Sequence, residues 1–334
     1  MTSLKPKEFS FFQVLIFSVL FSVITCGITY YYLKMQHEAI LLSNSNAKYC
    51  DYNIKRIKGL KFVKPILWVD DYCESDNLAD TKRKLTEIIE KYKQFNNVEN
   101  ASVYLRAGTQ WTVVNETDKY NPGSLFKVPI MIAILKMDEE NPGFLNKVIL
   151  YDKPIQVDKN VNFPSKTIQL GNKYSIKELL TYMIKYSDNA ATVLLTSSMK
   201  NETLQKLFAD IDLEVPNAYS SQYQFTVKDY SMFMRTIFNA GYLTIKNSEF
   251  AAELLSESDF KDGIKKGIPS NTKIAHKFGE AGNQIDKQLH ESAVVYLGDK
   301  GYLLTVMTKG KDMKTLSNLI GEISQTVYND IKNQ

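Results

Sequence analysis

The order of predicted elements along this 334-residue chain indicates an α+β fold built around an antiparallel sheet. A helix and two strands come first, a long run of helices fills the middle, and three strands and a helix come last. Because two strands alone form only a marginal sheet, we expect the strands from both ends to pair in one sheet. The terminal helices then flank this sheet, and the middle helices form an inserted all-helical subdomain.

The composition narrows the functional class. Apolar residues make up 44% of the chain and charged residues 23%, as in ordinary globular proteins, so the chain is neither collagen-like nor wholly disordered. The net charge of +4 is small and spread along the chain, which argues against a nucleic-acid partner. Three His and three Cys occur without any zinc-type spacing, so we expect neither a metal nor a cofactor.

Residues 9–33 contain no charged side chain and are long enough to span a bilayer as one helix. Three tyrosines at residues 30–32 fit the aromatic belt of a membrane interface, and Lys5 and Lys7 place the preceding tail in the cytoplasm. A cleaved signal peptide and a lipoprotein signal are the alternatives, but neither cleavage pattern is well formed. We therefore predict one retained N-terminal transmembrane helix.

This anchor sets the organisation of the chain. The predicted parts are a cytoplasmic tail (1–8), a transmembrane anchor (9–33), a stalk (34–60) and an extracytoplasmic domain (61–334). Cys50 and Cys73 are the two cysteines outside the cell in this arrangement. An oxidising exterior permits a disulfide between them, but two unpaired thiols are an open alternative, because sequence gives no distance.

Local patterns predict each element of the domain in turn. Apolar residues recur at helical spacing over residues 76–95. Two β-rich runs, 101–106 and 110–114, surround an Ala-Gly-Thr turn and predict a hairpin. The almost wholly apolar residues 124–136 predict a helix that is buried on all sides. The remaining predicted elements are a short strand within 61–69, helices from a capping box at Ser175 and Glu178 to about Ile211, a helix over 226–239, strands over 273–278, 292–297 and 302–308, and a helix over 313–331.

Ser124 and Lys127, at the start of that apolar helix, carry the first candidate chemistry. Side chains three residues apart on a helix share one face, with Cβ atoms about 5–6 Å apart. Burial lowers the proton affinity of a lysine, and a neutral amine can take the serine proton and make the hydroxyl a nucleophile. Backbone N–H groups at the helix N-terminus would face a developing oxyanion. The alternative for Lys127 is a salt bridge or an amine that reaches water.

Two further motifs follow along the chain. Ser187-Asp188-Asn189 lies between two predicted helices, where capping a helix N-terminus is the alternative role. Lys277 lies in a predicted strand, and Gly279 two residues later permits the close approach of a ligand. The alternative for Lys277 is an edge-strand lysine that prevents aggregation.

The ordered series S-x-x-K, S-D-N and K-x-G resembles the active-site set of the penicillin-recognising serine enzymes, and of class A β-lactamases in particular. The resemblance extends from residue 76 to the C-terminus, and residues 289–310 are similar to the family's last two strands. It implies a β-lactamase/transpeptidase-like fold and a serine hydrolase that attacks an amide or ester. With the anchor predicted from residues 9–33, this hydrolase is membrane-anchored and extracytoplasmic. The implied substrate is a β-lactam or a peptidoglycan-type peptide.

The resemblance also implies a role for each motif residue. Ser124 would be the acylated nucleophile, and Lys127 the base that takes its proton. Ser187 would relay a proton to the leaving nitrogen, and Lys277 would supply positive charge to Ser187 and to a substrate carboxylate. The implied substrate-binding positions are Asn189 for the substrate amide, Gly279, and Glu280, whose backbone N–H completes an oxyanion hole with that of Ser124.

Two residues depart from the family's pattern. Phe278 stands in the middle of K-x-G, where a Thr or Ser hydroxyl would bind a carboxylate, and Phe cannot do so. Glu214 is the one carboxylate between residues 213 and 225, earlier than the family's deacylating Glu, and we favour a solvated loop residue there. Without such a base we expect a persistent acyl-enzyme. The alternative function is a non-catalytic, cell-wall-binding pseudoenzyme with the same fold.

Overall fold

The computed structural model describes residues 21–35, 54–57, 59–69, 78–95, 98–156, 162–215, 223–298 and 300–333. It divides into two compact units, Met1–Asp51 and Tyr52–Gln334. Helix α1, residues 21–35, is the described part of the first unit. Among the described residues, no helix combines the length and the apolar character needed to cross a bilayer. Residues 9–20 of the predicted anchor lie outside the described residues, and so do Cys50 and Cys73, for which a disulfide and two unpaired thiols were left open.

The described strands of the second unit are β1 (Ile54–Arg56), β2 (Ile66–Val69), β3 (Val98–Ala107), β4 (Gln110–Val114), β5 (Val148–Leu150), β6 (Lys173–Ser175), β7 (Lys273–Gly282), β8 (Lys287–Leu297) and β9 (Lys300–Gly310). Five of them form one antiparallel sheet in the order β4-β3-β9-β8-β7. Two of these strands precede the helices and three follow them, which confirms the predicted pairing of the two ends. The other strands form two short ribbons, β1 with β2 and β5 with β6.

The described helices of this unit are α2 (Ala79–Phe95), α3 (Lys127–Glu140), α4 (Ile176–Lys185), α5 (Asn189–Ser198), α6 (Asn201–Asp210), α7 (Val227–Phe238), α8 (Ile245–Ser256) and α9 (Met313–Lys332). Side chains alternate across the sheet: Val103 and Leu105 join the core shared with α2 and α9, whereas Tyr104 joins the core shared with α3 to α8. The predicted α+β plan is confirmed. The helical insert shares its core with one face of the sheet and does not stand apart from it.

The C-terminal strands are longer than the sequence pattern predicts. Strand β8 begins at Lys287, before the predicted residue 292. The sequence pattern missed this start because His290, Glu291 and Ser292 are polar, although the fold buries them completely. Glu291 pairs with His276 Nδ1 at 2.6 Å, and Ser292 pairs with the hydroxyl of Thr305 at 2.7 Å. Hydrogen bonds to residues on other strands offset the cost of burying these polar side chains. The polar and apolar pattern along β8 alone does not reveal those partners.

Three further boundaries differ from the sequence analysis. The predicted helix over 124–136 is wrong in its first turn, because α3 begins only after a 3-10 turn over Gly123–Phe126. Strand β1 lies within the predicted stalk, 34–60, and pairs with β2. Helix α8 was not predicted, although Thr244 caps it by accepting from the N–H of Asn247 at 3.3 Å.

Gly267 ends a 3-10 turn, Ile264–Gly267, that packs against α9. A Cβ atom on Gly267 would lie 2.7 Å from the backbone nitrogen of Gln325 and would overlap the carbonyl oxygen of Gly321. Gly267→Ala should therefore lower the free energy of unfolding by about 1–3 kcal/mol, measured by urea unfolding with circular dichroism. The control is Gly241→Ala, whose Cβ meets nothing and should change that energy by less than about 0.5 kcal/mol. Equal losses in the two variants would contradict this packing.

Candidate active site

Ser124 lies in the 3-10 turn Gly123–Phe126, immediately before α3. The α-helix begins at Lys127 because Pro129 has no N–H to donate and fits only the first turn of a helix. Gly123 adopts φ +49°, in the left-handed region that favours glycine. The S-x-x-K motif therefore spans the junction between the turn and the helix.

Strand β7 passes directly against this turn. A Cβ atom on Gly279 would lie 2.7 Å from the backbone nitrogen of Leu125 and would overlap a carbonyl oxygen of the turn. A Cβ atom on Gly123 would overlap the carbonyl oxygen of Glu280. Two glycines thus bring the backbone of Glu280 next to that of Ser124. The close approach predicted for Gly279 is an approach to the turn that carries Ser124.

The amine of Lys127 lies in a polar cluster at the start of an otherwise apolar helix. It donates to Asn189 Oδ1 at 2.7 Å and to the carbonyl oxygen of Ser187 at 2.5 Å. It also lies 3.0 Å from Ser124 Oγ and 3.2 Å from Ser187 Oγ. Lys127 is only 4% exposed, and its hydrogen-bond partners are all neutral. Among the described residues, Lys127 therefore forms no salt bridge, and its amine does not extend into water. Both alternatives considered for this lysine are wrong.

Burial lowers the pKa of Lys127 to about 7, against the raising effect of the Asp188 and Glu280 carboxylates. A lysine with this pKa is neutral in roughly half of the molecules at pH 7. The neutral amine has a lone pair and can accept the proton of Ser124 Oγ across 3.0 Å. The site can therefore generate a serine nucleophile near neutral pH.

The Ser-Asp-Asn motif forms the loop between α4 and α5. Ser187 has φ +56°, a conformation that is unfavourable for a non-glycine residue unless its surroundings hold it. Asp188 supplies that support, because its carboxylate accepts from the N–H of Ala190 at 2.9 Å and from that of Ile168 at 2.8 Å. Helix capping, the alternative role considered for the Ser-Asp-Asn motif, is therefore performed by Asp188 alone. The side chains on either side of it face Lys127.

Lys277 is fully buried in β7. Its Nζ donates to Ser187 Oγ and to the carbonyl oxygen of Phe278, both at 2.9 Å. Burial holds the pKa of Lys277 well below its usual value, and the charge of Lys127 lowers it further. Although β7 is at the edge of the described sheet, this lysine points inward, so the edge-protection alternative is wrong. The hydroxyl of Ser187 lies between two buried amines.

The predicted site residues gather at one cleft of about 930 Å³. Those that line it are Ser124, Ser187, Asn189 and Glu280. Lys127 and Lys277 are buried behind them, and Gly279 sets the approach of β7. The sequence analysis missed one wall of this cleft, residues 162–168, because that segment carries no motif or periodicity.

Glu214 is not part of this cleft. Its side chain is exposed, and its backbone carbonyl accepts a hydrogen bond from the hydroxyl of Tyr223. An aromatic cluster adjoins the nucleophile's turn instead, with the Tyr223 ring 6.4 Å from that of Phe126 and 4.6 Å from that of Phe225. The interpretation of Glu214 as a solvated loop residue agrees with this exposure.

Asp188 and Glu280 are the carboxylates that line the cleft in the described part of the chain. The first is committed to capping α5, and the second accepts two hydrogen bonds from Asn162. Within the same residues, no group of three or more His, Cys, Asp or Glu side chains comes together as a metal site.

Comparison with known proteins assigns this arrangement to a family. The profile described as the beta-lactamase enzyme family matches residues 80–331, which is most of the chain. A search of curated protein sequences returned no match.

Solved structures share the fold at low sequence identity. A protein described as PBP-A aligns with a TM-score of 0.65 and 18% identity over 83% of this chain and 100% of its own. A class A β-lactamase from Bacteroides cellulosilyticus DSM 14838 gives 0.66 and 16%, over 76% and 99% of the two chains. The TLA-3 extended-spectrum β-lactamase gives 0.64 and 18%, over 75% and 99%. The similarity to these solved structures shows the fold, and the profile match over residues 80–331 shows the family. The chain belongs to the beta-lactamase enzyme family, as a serine hydrolase of the β-lactamase type.

Proposed function

We propose that this protein forms a covalent acyl-enzyme on Ser124 by attacking an amide or ester of a β-lactam or a peptidoglycan-type peptide. The observation that carries the proposal is a continuous hydrogen-bonded series from Ser124 through Lys127 and Ser187 to Lys277. This series joins a nucleophile to a buried amine that is partly neutral at pH 7.

Acylation begins when Ser124 Oγ attacks the carbonyl carbon of the substrate. As the new C–O bond forms, the hydroxyl proton passes to the neutral amine of Lys127, 3.0 Å away. The carbonyl oxygen then carries a negative charge. The N–H groups of Ser124 and Glu280 stabilise this oxyanion in our proposal, which is supported by the close packing of the two backbones.

Collapse of this intermediate breaks the bond to the leaving nitrogen or oxygen, which needs a proton. Ser187 Oγ supplies the proton and recovers one from the ammonium of Lys127, 3.2 Å away. Lys277 orients the Ser187 hydroxyl from 2.9 Å and adds positive charge beside it. Asn189 holds the amine of Lys127 and offers its amide to the substrate. Lys127 is thereby returned to its neutral form.

Hydrolysis of the acyl-enzyme needs a base that activates water, and this step is slow in our proposal. Glu214 lies outside the cleft, Asp188 is engaged in capping a helix, and Glu280 accepts two hydrogen bonds from Asn162. A structure of a PBP-A mutant, with a TM-score of 0.64 and 19% identity over 77% of this chain and 98% of its own, is described as an acyl-enzyme complex with penicillin G. That complex, on a similar fold, supports penicillin as the first probe of this chain.

Intact-mass spectrometry of the full chain with a penicillin tests the nucleophile. We expect an adduct of the penicillin's mass that persists for many minutes and is absent from Ser124→Ala. Ser45→Ala is the matched control, since Ser45 has the same S-x-x-K spacing and should keep full labelling.

Two outcomes of this experiment would contradict parts of the proposal. An adduct on Ser124→Ala would exclude Ser124 as the nucleophile. Tight binding of wall fragments, equal in both proteins and without any adduct from any donor, would favour the alternative of a non-catalytic pseudoenzyme.

The pKa of Lys127 determines the pH dependence of acylation. Because the neutral amine is the base, the acylation rate should fall about tenfold per pH unit below about pH 7 and level off above about pH 8. Quenched mass spectrometry from pH 5 to pH 9 measures this rate, with circular dichroism as the control for folding. A rate that is flat across this range would remove Lys127 from the role of base.

We also propose that the enzyme is a single-pass membrane protein with its catalytic domain outside the cytoplasm. The support is the uncharged segment 9–33 with Lys5 and Lys7 before it. The full chain should then stay with membranes during an alkaline carbonate wash, whereas a chain that begins at residue 34 should be released. Release of both chains would contradict the anchor.

A further inference from the structure

One wall of the cleft connects the Ser-Asp-Asn loop to β7. Residues 162–168 form this wall and are referred to here as the crossing segment. At its first residue, Asn162 donates to one carboxylate oxygen of Glu280, from its backbone N at 2.9 Å and from Nδ2 at 2.8 Å. At its last residue, the N–H of Ile168 donates to Asp188 at 2.8 Å. Both ends are therefore fastened to residues of the active site.

Aromatic rings pack together beside Glu280, and two of them, Phe260 and Phe278, are buried. The Phe278 ring stacks on that of Phe260 with centroids 4.1 Å apart. Phe163 of the crossing segment packs edge-on against both rings, at 5.0 Å from Phe260 and 5.9 Å from Phe278. None of these rings offers an N–H or O–H group to a ligand carboxylate. Phe278 therefore offers no donor to a ligand carboxylate at the position where a hydroxyl side chain could have bound it.

Glu280 gives the same wall a negative charge near the reacting atoms. Its backbone lies against the Ser124 turn, and a glutamate carboxylate stays within about 6 Å of its own backbone nitrogen. The two donors from Asn162 are neutral amide groups, so they fix the position of the carboxylate without cancelling its charge. The cleft therefore presents a held carboxylate next to apolar rings.

Among the described residues, no lysine of the cleft forms an ion pair with the Glu280 carboxylate. The amines of Lys127 and Lys277 donate to Ser187 and to other neutral oxygens, so neither of them pairs with the Glu280 carboxylate. Lys166 and Lys287 also line the cleft. The amine of Lys166 lies over the ring of Tyr186, 5.5 Å from its centroid, and Asn162 rather than this amine holds the Glu280 carboxylate.

Building on the acyl-enzyme function proposed above, we propose that Glu280 is a specificity-determining residue. Its side-chain carboxylate selects acyl donors that present a primary amide or an ammonium group to this wall, and it disfavours donors that present a carboxylate. Attraction or repulsion between unit charges a few ångströms apart is large enough, even with partial solvent screening, to change reaction rates tenfold.

The test compares two depsipeptides that share one acyl group and differ only in the end of the leaving group. One ends in a free carboxylate (lactate) and the other in a primary amide (lactamide). We expect the full chain to react with the amide donor at least about tenfold faster, measured as kcat/KM for release of the leaving group. Affinities of the same two donors for Ser124→Ala should show the same preference, and they report on specificity even where no turnover occurs.

Three variants separate charge from hydrogen bonding. Glu280→Gln keeps an oxygen that accepts from Asn162 but removes the charge, so the preference should shrink to about twofold through faster reaction of the carboxylate donor. Asn162→Ala keeps the charge and should keep the preference. Glu90→Gln, an exposed residue of α2, makes the same charge change away from the cleft and should leave the preference unchanged.

A wild-type protein that prefers the carboxylate donor, or a preference that Glu280→Gln leaves intact, would overturn this inference. Accumulation of acyl-enzyme in Glu280→Gln, with the preference unchanged, would also overturn it and would assign Glu280 to deacylation instead. Failure of both donors and of the penicillin to acylate the wild-type protein would contradict the proposed function, while the two affinities for Ser124→Ala would still decide the specificity.

Discussion

Burial of one amine inside an apolar helix is the constraint on which the active site depends. Lys127 is the first residue of α3, whose side chains from Val128 to Leu135 are buried, and it is itself only 4% exposed. The fold offers it neutral oxygens on Ser124, Ser187 and Asn189 and no direct carboxylate partner. A carboxylate at hydrogen-bond distance would have stabilised the ammonium and raised the pKa of Lys127. Neutral partners satisfy the buried amine and still leave its proton easy to lose.

The sheet and the helical insert meet where that amine is needed. Strand β7 comes from the last part of the sheet, and the nucleophile's turn opens the first helix of the insert. Gly123 and Gly279 allow these two backbones to touch, because side chains at either position would overlap backbone atoms. The same contact brings the backbone of Glu280 beside Ser124 and the amine of Lys277 beneath Ser187. The pairing of strands from the two ends of the chain is thus a condition for the chemistry.

Much of this could be predicted from sequence, because the signals were local. The S-x-x-K pair, the S-D-N loop and the K-x-G strand each carry their residues within four positions, and the order of helices and strands indicated the sheet. What the sequence did not reveal depends on distant contacts. The polar start of β8 is buried only because partners such as His276 and Thr305 lie on other strands. The wall made by residues 162–168 has no pattern of its own, and its hydrogen bonds reach Glu280 far along the chain.

The most direct test of this account is a pH titration of Lys127 itself. Lysine labelled with ¹³C at Cε, introduced into the full chain, gives an NMR signal whose shift follows the charge of the amine, and Lys127→Arg identifies the signal. The account predicts a pKa of about 7 for this lysine, against about 10.4 for a lysine side chain in a model peptide. A Lys127 signal that titrates with the exposed lysines would show a permanently charged amine at neutral pH. It would contradict the central claim that burial makes this lysine the base.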